Sequence, residues 1–232
     1  MSMSFGYVSP EQVTKDKADY ARKGISRGRP LVVVEYDQGI AFVADNPSNH
    51  LHKIGELYDR IAFAAVGRFS EFETLRVAGV RLADTRGYAY GREDVTSRAI
   101  ANAYSQTLGQ IFVQEFKPYE VELCVAEVGT DGAANAMYHV VFDGNVFDRK
   151  GWLAMGGQSD ELNTALQRDY DEDMELDAAL QLAVRVLREA APAGEPGNSR
   201  LEVAVLERDR PRRSFRRLTQ EDVESRAGEP AS

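Results

Sequence analysis

Residues 27–45 have the sequence RGRPLVVVEYDQGIAFVAD and contain the two strands around which the rest of the chain can be placed. Residues 31–36 and 40–44 are runs of β-branched, aromatic and small apolar residues, and residues 37–39 separate them. Two such runs on either side of a short segment that contains glycine predict a β-hairpin.

A helix is predicted on the amino-terminal side of this hairpin. Ser9 is a capping residue, Pro10 occupies the first helical position, and Gln12 follows three residues after the cap. We predict a helix over residues 9–23 that stops at Gly24. Because it is polar on almost every side, we expect it on the outside, against another chain or in solvent.

Downstream of the hairpin, strand-rich blocks are separated by helices. Further strands are predicted at residues 61–66, 119–128, 137–142, 152–155, 201–206 and 215–218. Helical spacing of apolar residues is found around residues 72–82, 94–116 and 162–187. This order predicts an α+β fold in which antiparallel sheets are stacked on each other with helices outside.

Composition excludes several classes of function. The chain has 232 residues and a formal net charge of −9, so it is expected to repel phosphate backbones, and no nucleic acid partner is predicted. No apolar stretch approaches the ~20 residues that span a bilayer, and no membrane partner is expected. Residues 1–10 lack the basic start and apolar core of a secretory signal, which predicts a cytoplasmic protein.

Few isolated side chains indicate chemistry. Cys124, the single cysteine, lies in an apolar run and is expected to be buried rather than reactive. His50 and His52 lie near Asp45, but histidines in a short polar loop are usually solvated. Residues 156–157 are both glycine and favour a tight turn over an anion-binding loop. We therefore expect no metal and no cofactor.

A cluster of arginines near the carboxy terminus has two interpretations. It could form a patch for polyanions, but acidic residues are interleaved with it, which favours a solvated edge or a charged contact with another subunit. The arginines are Arg208, Arg210, Arg212, Arg213, Arg216 and Arg217.

Several segments, taken in order, resemble the α-type subunits of the proteasome, and most closely those of actinobacteria. The resemblance extends from Ser9 to about Leu218. Each segment alone is weak, and the combination is specific. The segments are Ser9-Pro10, Tyr20-Ala-Arg-Lys23, Val43-Ala-Asp-Asn-Pro47, His52-Lys-Ile54, Ala83-Asp-Thr-Arg-Gly-Tyr88, Lys117-Pro-Tyr-Glu-Val-Glu-Leu123, Met155-Gly-Gly157 and Arg210-Pro-Arg-Arg213.

This resemblance implies a four-layer αββα sandwich, the N-terminal-nucleophile hydrolase fold, with an extra amino-terminal helix. It also implies seven-membered rings of this chain that cap rings of β subunits, admit protein substrates to the proteolytic chamber and dock a ring-shaped AAA ATPase. Within the chain we expect a gate segment at 1–8, the subunit domain at 9–218 and a polar, disordered tail at 219–232.

Enzymes of this fold use an amino-terminal Thr, Ser or Cys at the start of the first strand, whose free amine acts as general base. Here Arg29 and Pro30 open that strand, and neither can supply the nucleophile or a primary amine. Asp45 and Lys53 match positions that support the nucleophile in catalytic relatives. Without a nucleophile we expect no catalytic residue.

The resemblance implies two sets of binding residues instead. Lys53, Arg22, Gly67 and Arg68 match positions of the pocket that receives the terminal carboxylate of an activator, a contact suited to a cation. Met3, Phe5, Tyr7 and Val8 are expected to close the axial pore by apolar packing, next to Ser9 and Pro10 at the pore side. An ordinary surface lysine remains the alternative for Lys53.

Two other functions remain open at this point. One is a catalytic hydrolase of the same fold, which would require a truncated chain that begins with a nucleophile. The other is an unrelated soluble enzyme or a stand-alone binding module, which would not form large assemblies with a β subunit.

Overall fold

The computed structural model describes residues 9–130, 132–191 and 200–227. Its helices are α1 (Pro10–Ser26), α2 (Phe69–Ala89), α3 (Ser97–Gln114), α4 (Ser159–Asp169), α5 (Leu176–Glu189) and α6 (Gln220–Ala227). Its strands are β1 (Leu31–Tyr36), β2 (Gly39–Asp45), β3 (Ile54–Tyr58), β4 (Ile61–Gly67), β5 (Val121–Glu127), β6 (Ala136–Val141), β7 (Val146–Arg149), β8 (Trp152–Met155), β9 (Leu201–Glu207) and β10 (Phe215–Arg217). A short 3₁₀ turn at Arg92–Asp94 precedes α3.

The strands form two antiparallel sheets. The first has the order β10-β9-β2-β1-β8 and the second the order β3-β4-β5-β6-β7. The predicted hairpin is confirmed: Tyr36 lies opposite Gly39 and Leu31 opposite Ala44 across β1 and β2. This two-residue connection fixes the register of β1 and therefore the face on which each of its side chains lies.

Apolar residues fill the spaces between four layers. Leu31 and Val33 of β1 face the second sheet, whereas Val32 and Val34 face α4 and α5. Both faces of β1 are buried, so its sequence is a continuous apolar run. A further core lies between the second sheet and the pair α2 and α3. The predicted four-layer αββα sandwich is confirmed, as is the burial of Cys124 between the sheets.

The amino-terminal helix differs from the prediction at its end. The Gln12 amide donates to Ser9 Oγ at 3.2 Å, as the sequence predicted for the cap. The Gln12 side chain, however, donates to Asp16 Oδ1 at 2.6 Å and does not complete a reciprocal capping pair. The helix also continues through Gly24 to Ser26. A glycine inside a helix costs only about 1 kcal/mol, which tertiary packing can offset.

The expectation that this helix lies wholly outside its own subunit is wrong for its last turns. Ala21 and Ile25 are buried in the core between the sheets. They are four residues apart and therefore share one helix face. The preceding residues 10–16 are exposed, so the helix is anchored at its carboxy-terminal end and projects at its amino-terminal end.

Two short edge strands were not predicted, and both ends of α3 differ from the prediction. β3 and β7 lie at the two edges of the second sheet, where a strand is only partly buried and therefore has a weak apolar pattern. α3 begins after Thr96, whose Oγ1 accepts from the Ala99 amide at 3.3 Å, and not at Asp94. It ends at Gln114, and Phe116 beyond it is 97% exposed.

The tail predicted to be disordered contains α6. The Thr219 hydroxyl donates to Asp222 Oδ2 at 2.8 Å, and the Asp222 amide donates back to Thr219 Oγ1 at 3.1 Å. This reciprocal cap starts the helix. Val223 is buried against the core under α5. The described helices include none that is long and apolar enough to cross a bilayer.

Candidate functional site

The chain enters β1 directly from α1 through residues 27–30. The Gly157 amide donates to Gly28 O at 2.9 Å, and Gly156 has a φ of +90°. A side chain at Gly156 would lie 3.3 Å from Arg29 O. The two glycines therefore form the tight turn that the sequence favoured, and the Gly157 amide is already bonded to the backbone.

Lys53 directly precedes β3, and its side chain reaches the start of β1. Its Nζ donates to Arg29 O at 2.7 Å and to Asp45 O at 2.9 Å. The Asp45 carboxylate accepts from Arg29 Nη1 at 2.8 Å. Burial lowers the pKa of Lys53 to about 8, and although Asp45 and Glu202 favour its charged form, the Arg29 charge also disfavours it. The structure thus brings Asp45, Arg29 and Lys53 together at this point.

Arg29 and Pro30, which open β1, carry neither a hydroxyl nor a thiol at the strand start. The Pro30 nitrogen is a tertiary amide within a continuous chain, so it has neither a proton nor a basic lone pair. The described partners of Lys53 Nζ are the backbone carbonyls of Arg29 and Asp45. The arrangement can hold the chain or bind an anion, and the strand start offers no hydroxyl or thiol of the kind that enzymes of this fold use.

Glu202 is a residue of this site that sequence reasoning missed. Its side chain accepts from the Lys53 amide at 2.8 Å, from Asn46 Nδ2 at 2.7 Å and from Arg217. His52 Nδ1 lies 3.2 Å from the same carboxylate. Glu202 therefore fixes the loop that carries Lys53. The signal was available in the sequence, because Glu202 is an acid on the strand face that it shares with apolar Ala204 and Leu206.

Gly67 and Arg68 lie at the end of β4, beside the last turn of α1. Gly67 has a φ of +108°, and a Cβ there would lie 1.9 Å from Glu120 O, so only glycine fits. Arg68 Nε donates to Glu120 Oε2 at 2.8 Å. Gly28, which precedes β1, approaches the Gly67 amide. The structure thus brings Gly67 and Arg68 next to the chain segment that Lys53 also contacts.

Arg22 is placed differently. It pairs with Asp19 at 3.3 Å on the surface of α1 and lies 5.6 Å from the centre of the Phe142 ring. It shares no partner with Lys53 or Arg68 within the described part of this single chain. Ser9 and Pro10 start α1, as predicted. The predicted gate residues Met3, Phe5, Tyr7 and Val8 lie outside the described residues.

The arginine cluster is paired within the chain. Arg216 and Arg213 donate to Glu207 and Glu56, and Arg217 pairs with Glu202. Arg208 donates to the carbonyl of Gly129 at 3.0 Å. The carboxylates of Glu56, Glu202 and Glu207 thus neutralise about half of the positive charge of the six arginines, which favours a charged edge over a patch for polyanions. Among the residues that the structure describes, no group of His, Cys, Asp and Glu is arranged to hold a metal ion.

Comparisons with known proteins agree with this fold. The family profile described as "Proteasome subunit" matches residues 25–206. The chain is 57% identical over 232 residues to "Proteasome subunit alpha" of Thermomonospora curvata, covering 100% of both chains. It is 54% identical over 225 residues to the protein of the same name from Frankia casuarinae, covering 94% of each chain. The protein of that name from Thermobifida fusca is 57% identical over 219 residues, covering 94% of this chain and 88% of the relative. The chain therefore belongs to the α-type subunits of the proteasome family.

Proposed function

We propose that this protein is the non-catalytic ring subunit of a 20S proteasome. Seven copies form an outer ring that stacks on β subunits, and the β subunits carry the peptidase sites. The ring gates the entry of protein substrates and docks a ring-shaped AAA ATPase in the cytoplasm. Its role is thus to support ATP-dependent protein degradation without cleaving peptides itself.

The observation that carries this proposal is the continuous chain from α1 through Pro30 into β1. A hydrolase of this fold needs a free amine and a nucleophilic side chain at that strand start. Cleavage before β1 would remove α1, whose Ala21 and Ile25 are part of the core. The bonds from Lys53 Nζ to Arg29 O and Asp45 O further support a structural or binding role at this position.

Reconstitution tests the proposal. The chain is purified alone and with a β-type subunit, and each sample is examined by sedimentation, mass spectrometry and hydrolysis of a fluorogenic peptide. We expect an inactive, full-length chain alone and a large, active particle with the β subunit. Hydrolysis by the isolated chain, or a matured form that begins with Thr, Ser or Cys, would contradict the non-catalytic role.

Gating is assigned to residues 1–8, which precede the capped start of α1. In an intact particle, deletion of these residues should increase peptide hydrolysis several-fold, because the apolar packing of Met3, Phe5, Tyr7 and Val8 would no longer close the pore. A particle that lacks residues 228–232 is the matched control and should keep the original rate. Equal rates for both deletions would contradict the gate assignment.

Docking is assigned to the pocket predicted from Lys53, Arg22, Gly67 and Arg68. Lys53 Nζ contacts Arg29 O, and Gly67, the neighbour of Arg68, lies beside Gly28 of the same segment, which supports a shared surface. Arg22 is separated from them in the single chain and would join the pocket only across neighbouring subunits. A terminal carboxylate suits these cations, because charge-assisted hydrogen bonds are the stronger ones.

A further inference from the structure

A single lysine joins α1 to the end of α3. Lys17 Nζ donates to Phe112 O at 3.1 Å and to Glu115 O at 2.6 Å. Both acceptors lie in the last turn of α3 or directly after it, where backbone carbonyls have no partner within their own helix. A lysine at this end of a helix satisfies such carbonyls and complements the negative end of the helix dipole. Lys17 therefore caps α3 from a second helix.

In the described part of the chain, Lys17 is also the first residue of α1 whose side chain is hydrogen-bonded to another element. The side-chain hydrogen bonds of the preceding turns stay inside the helix and its cap. Residues 10–16 are exposed, whereas Lys17 and Ala18 are half-buried. Residues 10–16 thus form an arm that leaves the body of the subunit at Lys17.

After Lys17, α1 is held by further contacts. Its last turns belong to the core between the sheets, and Arg22 lies 5.6 Å from the centre of the Phe142 ring. The Phe142 ring is in turn 5.8 Å from that of Phe112, whose carbonyl binds Lys17. The last turn of α3 therefore supports α1 at two points, once through its backbone and once through aromatic rings.

The direction of the arm depends on this support, because the arm acts as a lever. The distance from Lys17 to Ser9 is about 12 Å at a rise of about 1.5 Å per residue. A tilt of about 10° at Lys17 would move the start of α1 by about 2 Å. A shift of that size disrupts apolar packing, because the attraction between two carbon atoms is confined to separations near about 4 Å.

We infer that Lys17 is a positioning residue of the gate: by binding the last turn of α3, it fixes the direction in which α1 presents residues 1–8 to the pore. This inference rests on the proposed gating function, and it adds a residue that the resemblance did not indicate. The effect of Lys17 is indirect, because it reaches the gate segment only through α1. Loss of its ammonium should leave the particle assembled and the gate segments misaligned with one another.

Electron paramagnetic resonance on the isolated chain measures the direction of α1. Nitroxide labels are attached at Lys15→Cys in the arm and at Thr85→Cys near the far end of α2, and both positions are exposed. Cys124 is buried and stays unlabelled. We expect a narrow distribution of distances between the labels when Lys17 is present. Lys17→Met should broaden it about two-fold, because the ammonium is lost while the apolar stem remains.

Peptide hydrolysis by intact particles measures the gate itself. Particles with Lys17→Met should cleave a fluorogenic peptide about two- to three-fold faster than the wild type, because displaced gate segments pack less well. Lys17→Arg again offers several donors to the two carbonyls and should retain the wild-type rate and the narrow distribution. Lys23→Met is the matched control. It removes an exposed lysine of the same helix on the side toward β1 and should change neither measurement.

Deletion of residues 1–8 separates this inference from the gating proposal. In particles that lack these residues, Lys17→Met should add nothing, because no gate segment is left to position. If the deletion alone does not raise the rate, gating by residues 1–8 is wrong and the inference fails with it, even when the labels report a fixed α1.

The other outcomes concern Lys17 alone. If the deletion raises the rate and Lys17→Met does not, or if the label distribution stays narrow in Lys17→Met, gating stands and the positioning role is wrong. A further increase by Lys17→Met in particles without residues 1–8 would contradict it as well, since the lysine would then act elsewhere. The same holds if Lys17→Met prevents assembly with the β subunit.

Discussion

At the scale of single residues, Lys53 is a cation held by backbone carbonyls. Its ammonium donates to Arg29 O and Asp45 O, and burial lowers its pKa to about 8. These bonds tie the loop that carries Lys53 to the backbone on either side of β1 and β2 and so fix how the chain enters β1.

Because the pKa of Lys53 is about 8, a contact between Lys53 and the terminal carboxylate of an activator should depend on pH. Lys53 is mostly protonated below about pH 8 and loses its charge above it, so binding of a peptide carboxylate should weaken by up to about ten-fold between about pH 7 and about pH 9. Fluorescence anisotropy measures this effect, with a fluorescein-labelled peptide that is prepared once with a free terminal carboxylate and once as the carboxamide.

Two controls apply to this pH dependence. Lys53→Arg keeps its charge across the range and should flatten the profile. The carboxamide should bind equally at both pH values. A Lys53→Gln particle that retains the wild-type pH profile would show that another group is responsible.

At the scale of elements, the two terminal helices are attached in opposite ways. α1 is anchored by Ala21 and Ile25 at its carboxy-terminal end, and its first turns are exposed. α6 is held along its side, because Val223 packs into the core that α5 covers. The Thr219 cap fixes where α6 begins. Residues 218–227 are therefore part of the folded domain.

Truncation tests the contribution of α6. A chain that ends at Leu218 loses the burial of Val223 and exposes part of the α5 core, which should lower the free energy of unfolding by about 2–3 kcal/mol. For a chain of this size, the melting temperature should fall by roughly 5–10 °C. A chain that ends at Ala227 is the control and should melt as the full chain does. Differential scanning calorimetry measures both, and equal melting temperatures would contradict a structural role for α6.

At the scale of the whole molecule, both sheets are buried on both faces and open at their edges. β3 and β10 are edge strands of the two sheets and lie on the same side of the molecule. There Arg213, in the turn before β10, pairs with Glu56 of β3 and so links the two sheets. β7 and β8 are the edge strands on the other side. Heterologous contacts between two different sides of one chain are what a closed ring requires. Charged residues at an open edge also limit uncontrolled strand pairing.

Ring assembly should be visible in amide hydrogen exchange. Residues 10–16 form exposed helical turns in the single chain and should exchange rapidly there. In the assembled particle we expect slower exchange at these residues, because a polar projecting helix is suited to contact a neighbouring chain. β2 is already buried and serves as the control, with equal protection in both states. Rapid exchange of residues 10–16 in the particle would contradict a contact through this helix.

Local sequence patterns are enough to predict the central strands, but they do not predict the edge strands or the end of the first helix. The apolar runs of β1, β2 and β9 and the cap at Ser9 require only neighbouring residues to be recognised. The edge strands β3 and β7 have weak patterns, because only part of each strand is buried. The end of α1 was misplaced because Gly24 is a local stop signal, whereas Ile25 is held by a distant core.

Hydrophobic periodicity is enough to predict stacked antiparallel sheets with helices outside, and residue identity is enough to place Arg29 and Pro30 at the start of β1, because both signals are local. The resemblance to α-type subunits adds the four layers and draws attention to Lys53 and Arg68. What surrounds these two residues depends on the tertiary fold. Glu202 lies 149 residues from Lys53, and Lys117 and Glu120 lie about fifty residues from Arg68. Burial and ion pairing depend on which distant segments meet, and no local pattern contains that information.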